Sequence, residues 1–211
     1  MRRIRRHTFA FVGALCVLGA ALLVLLAVDA HTWDTTVARD DVRFRALPSH
    51  RDLWTPATLL PGDPAAALIG TGGTMQFRRA LQYFWYSHVG HAAGTQDAET
   101  LRAVTQNRLE SLISSDLDTG RRSLAANLLG VLVVTTPAPS NDSDAVRQIL
   151  IRARGYFQQA IAIDPGNADA KENLELVLRL QRPGKSKLGN DARRGFGFGR
   201  GRAAGTGGSG Y

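Results

Sequence analysis

The chain has 211 residues, 44% hydrophobic and 21% charged, enough for one ordinary domain with appendages. Its net charge of +8 sits at the two ends: Arg2, Arg3, Arg5 and Arg6 open the chain, seven basic residues against Asp191 fill residues 182–211, and residues 29–181 are slightly acidic. That distribution argues against a nucleic-acid-binding body, and the single cysteine, Cys16, excludes an intramolecular disulfide or a cysteine-based metal site.

Residues 1–7 form a basic segment, and no further charge occurs before Asp29. A helix over residues 8–28 is about 30 Å long at 1.5 Å per residue, the thickness of a bilayer core, so a transmembrane helix is expected there. A cleaved signal peptide ending at Val28-Asp29-Ala30 is the alternative, but apolar signal cores run about 7–15 residues, shorter than this stretch. The arginines before the span and Asp29, Asp34, Asp40 and Asp41 after it point to a plasma-membrane protein. Its N-terminus is then cytoplasmic and the remainder extracytoplasmic.

Residues 29–73 are expected to form an irregular strap. Pro48, Pro56, Pro61 and Pro64 each remove an amide donor, and the "GTGG" of Gly70–Gly73 favours no regular element. Phe44, Leu47, Leu53, Trp54, Leu59, Leu60 and Leu68 are too apolar for a solvated spacer. The strap should therefore pack along the helical domain, or else bind a partner.

Residues 74–181 read as helices. Thr74–Ser87 places Phe77, Leu81, Phe84 and Trp85 on one face. Asp97–Ser114 opens on an aspartate cap and aligns Leu101, Val104, Leu109 and Leu112. Thr119–Val134 is apolar in its second half but too short to span a membrane. Ser143–Ile163 carries Val146, Leu150, Ala153, Phe157, Ala160 and Ile161 at steps of three and four. Asn167–Gln181 carries Ala170, Leu174, Val177 and Leu178, with Lys171, Glu172, Glu175 and Arg179 turned to water. No stretch alternates with period two, so the fold class is all-α. Residues 182–211, glycine-rich and basic, are expected to be a disordered tail.

The stretch "RGYFQQAIAIDPGNADAKENLELVLRL", with "NLLG" upstream, resembles a tetratricopeptide repeat, a helical hairpin in which small residues let two helices approach and a proline closes the second. Leu129 and Gly130 fall on the first helix's Leu-Gly pair. Ala153, Phe157, Ala160 and Pro165 fall on the small, aromatic, small and closing positions of the second, and Leu174 lies on the next first helix. The spacing exceeds the family's by eleven residues, which the loop-like Thr135–Ala145 accounts for. The resemblance covers residues 119–181 and implies a short helical-hairpin solenoid that binds other proteins on its surface, with no cofactor. "NADAKENLELVLR" is also similar to small membrane-anchored bacterial repeat proteins associated with MoxR ATPases and von Willebrand factor A-domain membrane proteins. That likeness implies partners of that kind.

Catalytic constellations are missing from the sequence: it has no HExxH, no GxSxG and no P-loop lysine. His88 and His91 share a helical spacing but lack the third ligand that zinc needs. Asp116 and Asp118 read as helix caps rather than a carboxylate pair. "GFGFGRGR" in the tail resembles RGG-type RNA-binding segments, which leaves a nucleic-acid-binding protein as the alternative function; an extracytoplasmic tail would meet no nucleic acid. The sequence therefore points to a membrane-anchored, non-catalytic interaction scaffold, with Tyr83, Trp85 and Tyr156 as its candidate partner surface.

Overall fold

The computed structural model describes residues 2–48, 52–88, 96–136 and 143–181, with backbone alone for 2–10, 88 and 96. All regular elements among the described residues are helices: α1 (Arg2–Ala46), α2 (Pro64–Leu68), α3 (Thr71–His88), α4 (Gln96–Ser115), α5 (Thr119–Val134), α6 (Ser143–Ile163) and α7 (Ala168–Leu180). The expected basic tail, 182–211, lies outside the described residues. The chain divides into two compact units between Met75 and Gln76.

In the first unit, α1 does not stop where its uncharged run stops. It continues unbroken to Ala46, so the expectation of an irregular strap from residue 29 is corrected to one beginning at Leu47. The reason lies in the sequence: no proline or glycine interrupts residues 29–46, Arg43 and Arg45 complement the helix C-terminus, and Pro48 then forbids continuation. One stripe of this extension is apolar: Leu26, Ala30, Trp33, Val37 and Phe44 recur at helical spacing and face the returning strap. Within the α1 stretch beginning at Phe11, an 18-residue window has a mean hydropathy of 2.8, and none of it is buried. By length and composition this helix can cross a membrane, a test that a signal sequence also passes.

The strap packs against α1, and carboxylates on α1 hold it there. Asp40, almost wholly buried, accepts the Trp54 backbone N–H at 2.8 Å, and Asp41 accepts the Trp54 indole N–H at 2.8 Å. Trp54 has a φ of 58°, a left-handed backbone that costs a bulky residue about 1–2 kcal/mol. Its burial, these two bonds and the Phe44 ring at 5.4 Å hold it there. Lower down, the enclosed Asp29 accepts the N–H groups of Leu59 and Leu60 at 2.7 and 2.9 Å. The lengths agree: Asp29 to Asp40 is about 16 Å along a helix axis, and the extended run from Trp54 to Leu59 covers about the same.

After Pro61 and Gly62 (φ 78°) the strap reverses, and Asp63 both accepts the Trp33 indole N–H at 2.8 Å and caps α2. Gly70 at φ 67° ends this passage, and α3 starts at Thr71 rather than Thr74, so the expected irregular "GTGG" opens a helix.

The second unit is a sequence of packed helices with one main core. Phe77, Ala80 and Phe84 come from α3, Leu109 and Leu112 from α4, Leu128, Leu129, Val131, Leu132 and Val134 from α5, Leu150, Ala153 and Phe157 from α6, and Val177 from α7. Two register expectations change. Buried Thr105, its hydroxyl returned to the Leu101 carbonyl at 2.7 Å, takes a core position on α4 while Leu101 and Val104 are only half-buried. On α7 the buried positions are Ala170, Asn173 and Val177, with Leu178 at the exposed edge. Asp97 lies in the first turn of α4 rather than before it, where its charge still suits the helix dipole. Lys171, Glu172, Glu175 and Arg179 are exposed, as expected.

Candidate functional site

The α4–α5 turn is locked by charge. Asp118 caps α5 through the Arg121 N–H at 2.7 Å, and Arg121 in turn forms a two-pronged pair with Asp116 at 2.7 and 2.8 Å. The Arg121 guanidinium beside Asp116 is the main reason its carboxyl is held below the usual aspartate range. Arg122 reaches back to the Ile113 carbonyl at 2.9 Å. These contacts account for both aspartates as structural groups. They leave Leu117 between them 97% exposed.

Two sets of contacts fix how α5, α6 and α7 lie. Gly130 on α5 faces the Phe157 ring on α6: a Cβ at Gly130 would lie 2.4 Å from Phe157 Cε1. One end of the pair is therefore closed by glycine against aromatic. Toward the other end, Ser123 Oγ donates to the Ala160 carbonyl at 2.8 Å. Moving from 123 to 130 on α5 matches moving from 160 to 157 on α6, so the two helices are antiparallel. Asn167 Nδ2 donates to Ser123 Oγ at 2.8 Å, and buried Asn173 pairs with buried Asn127 at 3.0 Å. Here 123 to 127 matches 167 to 173, so α7 runs parallel to α5.

The turn that makes this possible is Asp164–Asn167. Pro165 ends α6, the Asn167 N–H closes a turn on the Asp164 carbonyl at 3.1 Å, and Asn167 Oδ1 caps α7 at the Ala170 N–H. The structure thus brings Leu129, Gly130, Ala153, Phe157, Ala160 and Leu174 to the helix contacts and Pro165 to the turn. Sequence reasoning missed the polar ladder Ser123, Asn127, Asn167 and Asn173. Its signal was asparagine placed among alanines and leucines in "LAANLLG".

The expected partner surface is not one patch. Tyr83 on α3 is half-buried, with the Arg108 guanidinium 4.3 Å from its ring centre. Tyr156 on α6 lies near Glu110, its hydroxyl 3.5 Å from Oε1; partial burial, reinforced by that carboxylate, raises the phenol's pKa. Arg108 and Glu110 are about 200° apart around α4, so the tyrosines flank it on opposite sides. Trp85, also half-buried, meets the Tyr86 ring at 6.0 Å. On the Tyr83 side, Gln76, Val104, Asn107, Arg108, Ser111 and Leu112 line an open groove of ≈ 400 Å³.

Among the described residues no three His, Cys, Asp or Glu side chains gather into a metal site. The His88 side chain and His91 lie outside the described residues, as does part of the Thr135–Ala145 loop. No protein-family model, curated protein or solved structure matches the chain.

Proposed function

We propose that the chain is a membrane-anchored, non-catalytic scaffold whose helical unit binds another protein as a short tetratricopeptide-like stack. Residues 8–28 remain as a single-pass anchor, the N-terminus is cytoplasmic, and the helical unit stands on the extracytoplasmic side. The observation that carries the reading is the order of α5, α6 and α7: an antiparallel hairpin closed by Gly130 against Phe157, followed by a helix parallel to the first. That is the arrangement a repeat stack needs, at the positions where the family resemblance falls.

Orientation rests on charge: four arginines precede the span, while the first basic residue after it, Arg39, comes about 16 Å further along the helix. The groove beside Tyr83 and Arg108 supplies the binding face, since tyrosine and arginine dominate interface energetics. A component of a MoxR ATPase and von Willebrand A-domain membrane system is the partner class that the sequence likeness implies.

The test has two arms. A reporter active only in the cytoplasm, fused after Gln181, should stay dark. A partner captured from detergent-solubilised membranes should be lost with Tyr83→Ala and Arg108→Ala at unchanged helical content. A bright reporter, or capture indifferent to both substitutions, contradicts the proposal.

A further inference from the structure

We propose that the reversal of the strap, Leu59 to Gly62, is a lipid contact: Leu59 inserts at the headgroup–acyl boundary of the bilayer that holds α1. The inference rests on the anchor reading above and adds a second point of membrane contact to it.

Asp29 is the first charged residue beyond the span, so it marks where the hydrocarbon ends. Its carboxylate is 0% exposed and bonds the N–H groups of Leu59 and Leu60, which pins this part of the strap at that level. It is also the lowest point of the strap. Before it, Trp54 is held at Asp40; after it, the Pro61-Gly62 turn sends the chain back to Trp33, where Asp63 is bonded. The cluster packed under the strap includes Leu26, which lies inside the last turn of the apolar run. The strap therefore reaches the membrane face of Asp29 rather than stopping in water above it.

At this depth the side chain of Leu59 is 63% exposed. One exposed leucine is ordinary on a soluble surface, but this one stands where the surrounding medium changes. The headgroup layer is about 5–7 Å deep on each side of the hydrocarbon. The pattern also explains why Asp29 is enclosed: a carboxylate at the hydrocarbon edge loses water, and two backbone donors replace it. Lipid is the occupant that continuity with the exposed apolar face of α1 supplies.

The test uses the full chain as Cys16→Ser, reconstituted in phosphatidylcholine–phosphatidylglycerol vesicles. A polarity-sensitive fluorophore is placed on Leu59→Cys, with Thr55→Cys and Leu22→Cys as references. The label at 59 should emit to the blue of the label at 55. It should be quenched by a lipid carrying a shallow nitroxide and shielded from a water-soluble nickel quencher. Aqueous quenching at 59 equal to that at 55, with lipid quenching retained at 22, overturns the lipid contact and leaves the anchor standing. Shielding at 59 from both quenchers means that protein covers it, a second copy or a partner, and also overturns the proposal. Loss of lipid quenching at 22 refutes the anchor itself. Equal protease resistance of the strap across the three labelled chains shows that the label has not detached it.

Discussion

Replacing Gly130 with alanine places a methyl carbon 2.4 Å from Phe157 Cε1, and 2.7 and 2.8 Å from two more ring carbons. Carbon atoms in contact prefer about 3.5–4.0 Å, so the ring must retreat by about 1 Å. It has no free path, because Phe157 is 0% exposed within the main core. Overpacking of this kind costs about 1–3 kcal/mol. Glycine is a poor helix former, so the substitution also gains about 1 kcal/mol. The expected net loss is therefore up to about 2 kcal/mol, or several degrees in melting temperature for a unit of this size. Phe157→Leu removes the obstructing ring, and in that background Gly130→Ala should stabilise by up to about 1 kcal/mol. The double-mutant cycle therefore predicts a coupling of about 2 kcal/mol. Urea unfolding of the full chain in detergent, followed by circular dichroism, reads all four corners. Equal stabilisation by Gly130→Ala in both backgrounds refutes the close approach of α5 and α6.

Asp116→Asn should cost about 1–3 kcal/mol at neutral pH, because Asp116 is paired with Arg121 and its side chain is only 2% exposed. Since the folded state depresses this carboxyl, its contribution is present above about pH 4 and fades as pH falls through the lower folded value. Thermal melts should thus show the variant less sensitive to acid than the wild type. Asn173→Ala strands the buried Asn127 amide and should lower the unfolding free energy read from urea titration by about 1–3 kcal/mol, whereas leucine at both positions should recover most of the loss. Asp40→Ala removes the acceptor of the buried Trp54 N–H, and limited proteolysis should then cut the strap faster while α4–α7 stay protected. A fragment of residues 71–181 keeps α3 to α7 with their own core and should give a helical spectrum with a cooperative melt.

Helices that bury one face against neighbours were legible in the sequence. The bounds of α5 and α6 are those the periodicity predicts, because apolar steps of three and four and the Asp118 and Pro165 signals agree there. The extension of α1 was not legible. Its stripe of Leu26, Ala30, Trp33, Val37 and Phe44 has the right spacing, but it is interleaved with aspartates. Those aspartates read as surface charge until the strap's amides are seen to need them. Asn127 and Asn173 escaped notice for a related reason: a polar residue in an apolar run suggests a flaw in the pattern, and only the neighbouring helix reveals its partner. Tyr83 and Tyr156 were named together as one candidate partner surface, but their exposure and their separation around α4 depend on packing that no local pattern encodes.

Site-specific photo-crosslinking in intact cells tests the central claim most directly. A photoreactive residue at Asn107 lines the groove, one at Tyr83 stands beside the groove-lining Arg108, and one at Glu172 is exposed on α7. The scaffold reading predicts a discrete membrane or extracytoplasmic protein adduct of constant mass from Tyr83 and Asn107, reduced by Arg108→Ala and missing from Glu172. Adducts to cytoplasmic proteins or nucleic acid, or equal adducts from all three positions, contradict it.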